Sequence, residues 1–188
     1  PMDSVVSPAS AVTLSELGVL AVLNLEGLWG RYEDPDPLLV QIAGLDPEVA
    51  TSRMQELYAA RPVDSELVKA RITDQRAAGV TVAVATSPQG AGRLAPIASQ
   101  AGADIVVIRG TTVSAEHVSS HAEPLNLKQF IYELDVPVIV GGCATYQAAL
   151  HLMRTGAAGV LVGFGGGAAH TTRDVLGVRV PMASAIAD

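Results

Sequence analysis

Aromatic residues are scarce in this 188-residue chain: two Phe, four Tyr and one Trp make up about 4% of it. The core must therefore be aliphatic, and a 49% hydrophobic composition rich in Val, Leu, Ile and Ala supplies one. That mix suits parallel strands buried on both faces. Cysteine is nearly absent as well. Cys143 is the only one, which excludes a disulfide within the chain and fits a reducing cytosol. No run of basic residues occurs, and the net charge is −7 with a pI of about 5.0. This balance argues against a nucleic-acid partner. Long apolar runs are missing too. Gly, Thr, Asp or Arg interrupts each one, so the mean hydropathy of +0.35 does not translate into a membrane span. The length suffices for one buried core and falls short of two ordinary domains. No secretory signal is legible, although the chain opens at Pro1 rather than Met.

Strand and helix signals alternate along what is present. Strands are expected at residues 20–25, 81–85, 105–108, 138–140 and 160–163, and Pro1-Met2-Asp3 reads as the tail of an earlier one. Ser7-Pro8, Asp46-Pro47, Asp64-Ser65 and Ser87-Pro88 open helices, each with a capping side chain ahead of the first turn. Shorter helices are expected over 127–134 and 144–155. Ala78-Gly79-Val80, Ala101-Gly102-Ala103 and Thr155-Gly156-Ala157 end a helix with glycine and enter an apolar strand in the same way. This is a βα repeat with parallel strands. The glycine fingerprint of a dinucleotide-binding sheet is missing after the first strand, and polar loops follow every strand. The pattern predicts an α/β fold, a TIM (β/α)8 barrel. Only about six strands are found, so residues 1–188 are expected to be a partial barrel domain without strands seven and eight.

The candidate chemistry lies at the C-terminal strand ends, where such barrels place their sites. Strand one brings Met2 and Asp3. Strand two brings Asn24 and Glu26, and strand three Ser87 and Gln89. Strand four brings Arg109, Gly110, Thr111 and Thr112, and strand five Gly141, Gly142 and Cys143. After strand six comes Gly163-Phe164-Gly165-Gly166-Gly167-Ala168-Ala169-His170-Thr171-Thr172-Arg173. Four glycines in five positions offer backbone groups to a ligand or ion, and His170 and Thr172 can do chemistry. Cys143 reads as a small buried hydrophobe. His117 and His121, flanked by Glu116 and Glu123, read as a solvated loop rather than a metal centre. His151 reads as a solvated helix residue, and Trp29, Arg31 and Tyr32 as loop packing, with stacking on a base as the alternative.

The loop from Gly163 to Arg173, with Val180 to Asp188, resembles the catalytic-loop region of the IMP dehydrogenase/GMP reductase family. Pro1-Met2-Asp3-Ser4 is similar to that family's first barrel strand. Residues 108–118 and 123–128 resemble its IMP dehydrogenase-related branch, which lacks CBS domains. The resemblance implies an oxidoreductase of purine nucleotide metabolism, taking IMP, GMP or XMP with NAD or NADP. It also implies a cytoplasmic homo-oligomer, a tetramer being the candidate assembly. His170 and Thr172 correspond to catalytic positions, but the family's cysteine, which attacks the purine ring, is replaced by His170. Met2, Asp3, Gly142, Gly165, Gly166, Gly167 and Ala168 correspond to the substrate site, and Arg109, Gly110 and Thr111 to the cofactor site. Carbonyls of Gly165, Gly167 and His170 could hold potassium. Arg109 stands where the family has a ribose-binding aspartate, Gly142 replaces an asparagine, Leu161 an arginine, and Ala168 a phosphate-touching serine. Two alternatives follow from these departures: a catalytically impaired nucleotide-binding or regulatory paralogue, and an FMN-dependent barrel oxidoreductase.

Overall fold

The computed structural model describes residues 1–110, the backbone of 116–117, and residues 125–167 and 177–188. The chain divides into two compact units, Pro1–Ala85 with Pro96–Asp104, and Thr86–Ala95 with Ile105–Asp188.

The first unit opens without a strand. Pro1 and Met2 are irregular, and Asp3 starts a turn closed by bonds from the Val5 and Val6 amides to the Met2 carbonyl. The expected strand tail is thus a turn; the Asp3 carboxylate is engaged by Leu28 and Tyr58 instead of the backbone joining a ladder. Helix α1 (Pro8–Glu16) follows, with Ser7 and Ser10 capping each other reciprocally. Strand β1 (Val22–Asn24) pairs in parallel with β2 (Ala83–Thr86). Between them run a 3₁₀ turn at Leu28–Gly30 and helices α2 (Asp36–Ala43), α3 (Pro47–Ala60) and α4 (Ser65–Ala77). Asp46 and Asp64 cap α3 and α4 by accepting the amides of Glu48 and Glu66 at 3.0 and 2.8 Å. Leu23, Leu25, Leu28, Val68, Ile72 and Val84 form the aliphatic core the composition called for.

The second unit is built on three parallel strands. These are β3 (Ile105–Arg109), β6 (Val138–Cys143) and β7 (Gly159–Val162), with β6 in the middle. The register sets Arg109 against Gly141, and Gly141 against Leu161, with an irregularity between Gly141 and Cys143. A short antiparallel ribbon joins β4 (Glu116–His117) to β5 (Leu125–Asn126), where the sequence read as loop. Helices α6 (Leu127–Glu133) and α7 (Tyr146–Met153) are capped by Asn126 and Thr145. A last helix, α8 (Met182–Ala187), ends the chain. Helix α5 (Pro88–Ala101) contributes residues to both units, dividing at Pro96. The pairs β1–β2, β3–β6 and β6–β7 are all parallel, in agreement with the βα repeat. Among the described residues no helix is long and apolar enough to cross a membrane.

Candidate active site

Three strand ends of the second unit meet through glycine. The Gly110 amide donates to the Gly141 carbonyl at 2.9 Å, and the Gly142 amide returns a bond to Gly110 at 3.0 Å. The Gly163 amide donates to the Cys143 carbonyl. No side chain fits at Gly141 or Gly142. A Cβ on Gly141 would fall 2.5 Å from the Leu161 Cβ, and one on Gly142 would fall 2.4 Å from the Gly163 carbonyl oxygen. The structure therefore brings together Gly110, Gly142 and the start of the glycine loop.

The loop glycines answer to packing. A Cβ on Gly163 would lie 2.2 Å from Met182 Sδ, and one on Gly165 would lie 2.6 Å from the Val178 carbonyl oxygen. A Cβ on Gly166 would lie 3.0 Å from Met182 Cγ, and the Val180 amide donates to the Phe164 carbonyl at 3.3 Å. The returning segment 177–182 thus covers one side of Gly163–Gly166. Sequence reasoning saw the glycines as ligand-facing and missed Met182 as their counterpart. The alternating hydropathy of a short segment gave no signal for it. Ala168, His170 and Thr172 lie outside the described residues, as do Thr111, Thr112, His121, Glu123 and the side chains of Glu116 and His117. Among the described residues, no cluster of His, Cys, Asp and Glu could hold a metal ion.

Cys143 is 3% exposed, with Sγ 3.6 Å from the Leu161 carbonyl. Burial pushes its thiol above the ordinary value, so it stays protonated near neutrality. It is the small buried residue the sequence suggested. Arg109 is exposed at the end of β3. Its guanidinium carries donors only. His151 is exposed on α7. Ser87 serves α5, its Oγ accepting the Gly90 amide at 3.1 Å.

The first unit holds the other expected residues. Met2 is exposed. Asn24 accepts the Glu26 amide at 3.2 Å and shapes the turn after β1. Asp3 is buried, and its Oδ2 accepts the Leu28 amide at 2.7 Å and the Tyr58 hydroxyl at 2.9 Å. Burial, then the Asp3 charge and hydrogen bond, raise the Tyr58 pKa far above its ordinary value. The Asp3 carboxylate fills the space beside Gly27, where a Cβ would fall 1.9 Å from Oδ1. Arg31 donates to the carbonyls of Glu26, Tyr58 and Arg61 and lies 5.1 Å from the Tyr58 ring centre. Arg71 donates to the carbonyls of Trp29, Tyr32 and Glu33 and stacks over Trp29. Trp29, Arg31 and Tyr32 thus pack the loop after β1. Tyr58 and Gly27 were missed in the sequence because their partner lies far away in the chain.

A family model described as the IMP dehydrogenase / GMP reductase domain matches residues 1–188. An uncharacterized oxidoreductase of Mycobacterium bovis is 53% identical over 194 residues, covering 100% of this chain and 52% of its own length. An inosine-5'-monophosphate dehydrogenase of Cryptosporidium parvum is 37% identical over 91 residues, covering 46% of this chain and 20% of its own length. The solved structure of an IMP dehydrogenase/GMP reductase-like protein from Corynebacterium glutamicum superposes with a TM-score of 0.91 at 46% identity. It covers 100% of this chain and 49% of that one. This likeness shows the α/β fold of the TIM-barrel type. The chain spans about half the length of the curated relatives it matches most extensively.

Proposed function

The chain belongs to the IMP dehydrogenase/GMP reductase family, and from that premise we propose that the full-length protein binds a purine nucleotide, IMP, GMP or XMP, as an oxidoreductase-type site. The observation that carries this reading is the family match over all 188 residues. NAD or NADP is the cofactor class this reading implies, and a homo-oligomer in the cytoplasm its setting. Met2, Asp3, Gly142 and the loop residues Gly165, Gly166, Gly167 and Ala168 are assigned to the nucleotide; Asp3 acts there by fixing its surroundings. Gly110 and Thr111 belong to the cofactor side. Carbonyls of Gly165 and Gly167, with that of His170, are the candidate potassium ligands.

The covalent step is where this chain departs from its family. A thiolate attacks well because it is a strong nucleophile that also leaves again. The one cysteine of the chain is Cys143, buried and held protonated. His170 occupies the family's cysteine position, and imidazole is a poor replacement. Arg109 adds a second departure, since it cannot accept the ribose hydroxyls. These two residues favour a nucleotide-binding or regulatory paralogue with little turnover as the second reading.

Full-length protein separates the cases. Calorimetry with IMP and GMP is expected to show binding, and absence of binding to any purine nucleotide overturns the proposal. Turnover of IMP with NAD is expected to fall below about one per second, the low end for ordinary enzymes. Loss of a covalent nucleophile costs about 10⁴-fold or more, so turnover at or above that rate refutes the impaired reading. His170→Cys is expected to raise turnover if the surrounding site is competent. A yellow protein with bound flavin would favour the FMN alternative.

A further inference from the structure

The proposed nucleotide site draws Met2 and Asp3 from a turn, not from a strand that a ladder would fix. Met2 is 55% exposed, and its neighbour Asp3 only 7%. The Met2 carbonyl accepts the Val5 and Val6 amides, both at 2.9 Å, which closes the turn on itself. Asp3 ties the turn to the rest of the unit through a single oxygen. Its Oδ2 accepts the Leu28 amide at 2.7 Å and the Tyr58 hydroxyl at 2.9 Å. Its Oδ1 has no hydrogen-bond partner among the described residues. Hydrogen bonds to an ionised acceptor are stronger than neutral ones. A carboxylate this buried is left short of donors when either bond is lost.

The two donors differ in kind. The Leu28 amide is backbone, and any residue but proline supplies it. The Tyr58 hydroxyl is a side-chain group, placed near the C-terminal end of α3. Tyr58 is itself held from the other side. Arg31 donates to its carbonyl at 2.9 Å and lies 5.1 Å from its ring centre. Gly27 keeps the place of the carboxylate clear, since a Cβ there would fall 1.9 Å from Oδ1. Phe at position 58 would keep the ring and leave Asp3 Oδ2 with the Leu28 amide alone.

We propose that Tyr58 is a positioning residue of the nucleotide site: its hydroxyl fixes Asp3, and Asp3 fixes the exposed Met2 beside it. The inference rests on the purine nucleotide reading above, and Tyr58 acts in it through Asp3 alone.

Tyr32 supplies a matched control. Its hydroxyl donates to the Leu57 carbonyl at 2.9 Å, one residue before Tyr58, and makes no bond to Asp3. Tyr58→Phe and Tyr32→Phe each remove one hydroxyl bond made at the end of α3, so a merely structural role moves both variants alike. In full-length protein titrated with IMP and GMP by calorimetry, Tyr58→Phe is expected to bind about tenfold more weakly, and Tyr32→Phe within about twofold of the unaltered protein. Methyl NMR of the methionines, with the Met2 signal identified by Met2→Leu, is expected to show that signal displaced in Tyr58→Phe and unmoved in Tyr32→Phe. This second readout needs no ligand. If the unaltered protein binds neither nucleotide, the nucleotide reading fails, and the Met2 signal still decides whether Tyr58 sets the turn. Unchanged nucleotide affinity in Tyr58→Phe, an equal loss in both variants, or an unmoved Met2 signal overturns the proposal.

Discussion

At the scale of single residues, two glycines with the same name have different jobs. Gly79 ends α4 with φ +76°, and nothing lies within 4 Å of a Cβ placed there. Gly79→Ala is expected to cost only the left-handed conformation, about 1 kcal/mol. Gly27 has its Cβ space occupied by the Asp3 carboxylate, 1.9 Å away at Oδ1. Gly27→Ala must displace Asp3 from Leu28 and Tyr58, and is expected to cost about 3 kcal/mol by overpacking and lost hydrogen bonds. Denaturant unfolding of the two variants checks the difference, and equal costs would show that Asp3 moves aside freely. Tyr58 gives a second handle on the same contact. Its raised pKa means that the folded state keeps a proton the unfolded state releases above the ordinary value of 10.0. The stability from this group is fully present below that pH and is lost as pH rises beyond it. Tyr58→Phe keeps the ring under Arg31 and is expected to flatten the alkaline fall in stability. An unchanged alkaline slope would show that other groups cause it.

At the scale of elements, the legible parts are those with local causes. The helices opened by Ser7, Asp46 and Asp64 begin at those caps, because a side-chain oxygen two or three residues from a free amide is a short-range matter. The strands expected at 105–108 and 138–140 appear at Ile105–Arg109 and Val138–Cys143, extended at their C-terminal ends. Helix α2 was not foreseen, since its apolar residues have no buried face to set a period. The Gly163–Gly167 loop shows the limit most clearly. Its glycines were legible, but the cause at Gly163 and Gly166 is Met182, a contact made only after the chain returns. Gly163→Ala is expected to destabilise by about 2 kcal/mol, from a φ of +98° and the overlap with Met182 Sδ. Adding Met182→Ala removes the overlap and leaves the backbone term. A double-mutant cycle is therefore expected to show about 1 kcal/mol of favourable coupling. Strict additivity would place the whole effect in the backbone.

At the scale of the whole molecule, the repeat of helix, glycine and strand carried the fold from the sequence, because each βα unit repeats the same local instructions. The site was less legible, since residues such as Asp3 and Tyr58 meet across 55 positions of chain. One consequence of the fold concerns β7. Among the described residues it pairs with β6 alone and is the last strand of its sheet. Leu161 and Val162 on it are 38% and 39% exposed, and Ile186 of α8 is 70% exposed. An apolar strand at the edge of a sheet is a template for further pairing. The 188-residue chain produced alone is therefore expected to self-associate at micromolar concentration, to bind a hydrophobic dye, and to melt broadly. Lys at Val162 places a charge on that edge and is expected to reduce association without a large loss of secondary structure, since the position is already open to solvent. The full-length protein, about twice as long in the relatives, is expected to sediment as a defined species with little dye binding. Sedimentation velocity with circular dichroism checks all three samples. A sharp, concentration-independent melt of a monomeric 188-residue chain would show that the β7 edge needs no partner strand.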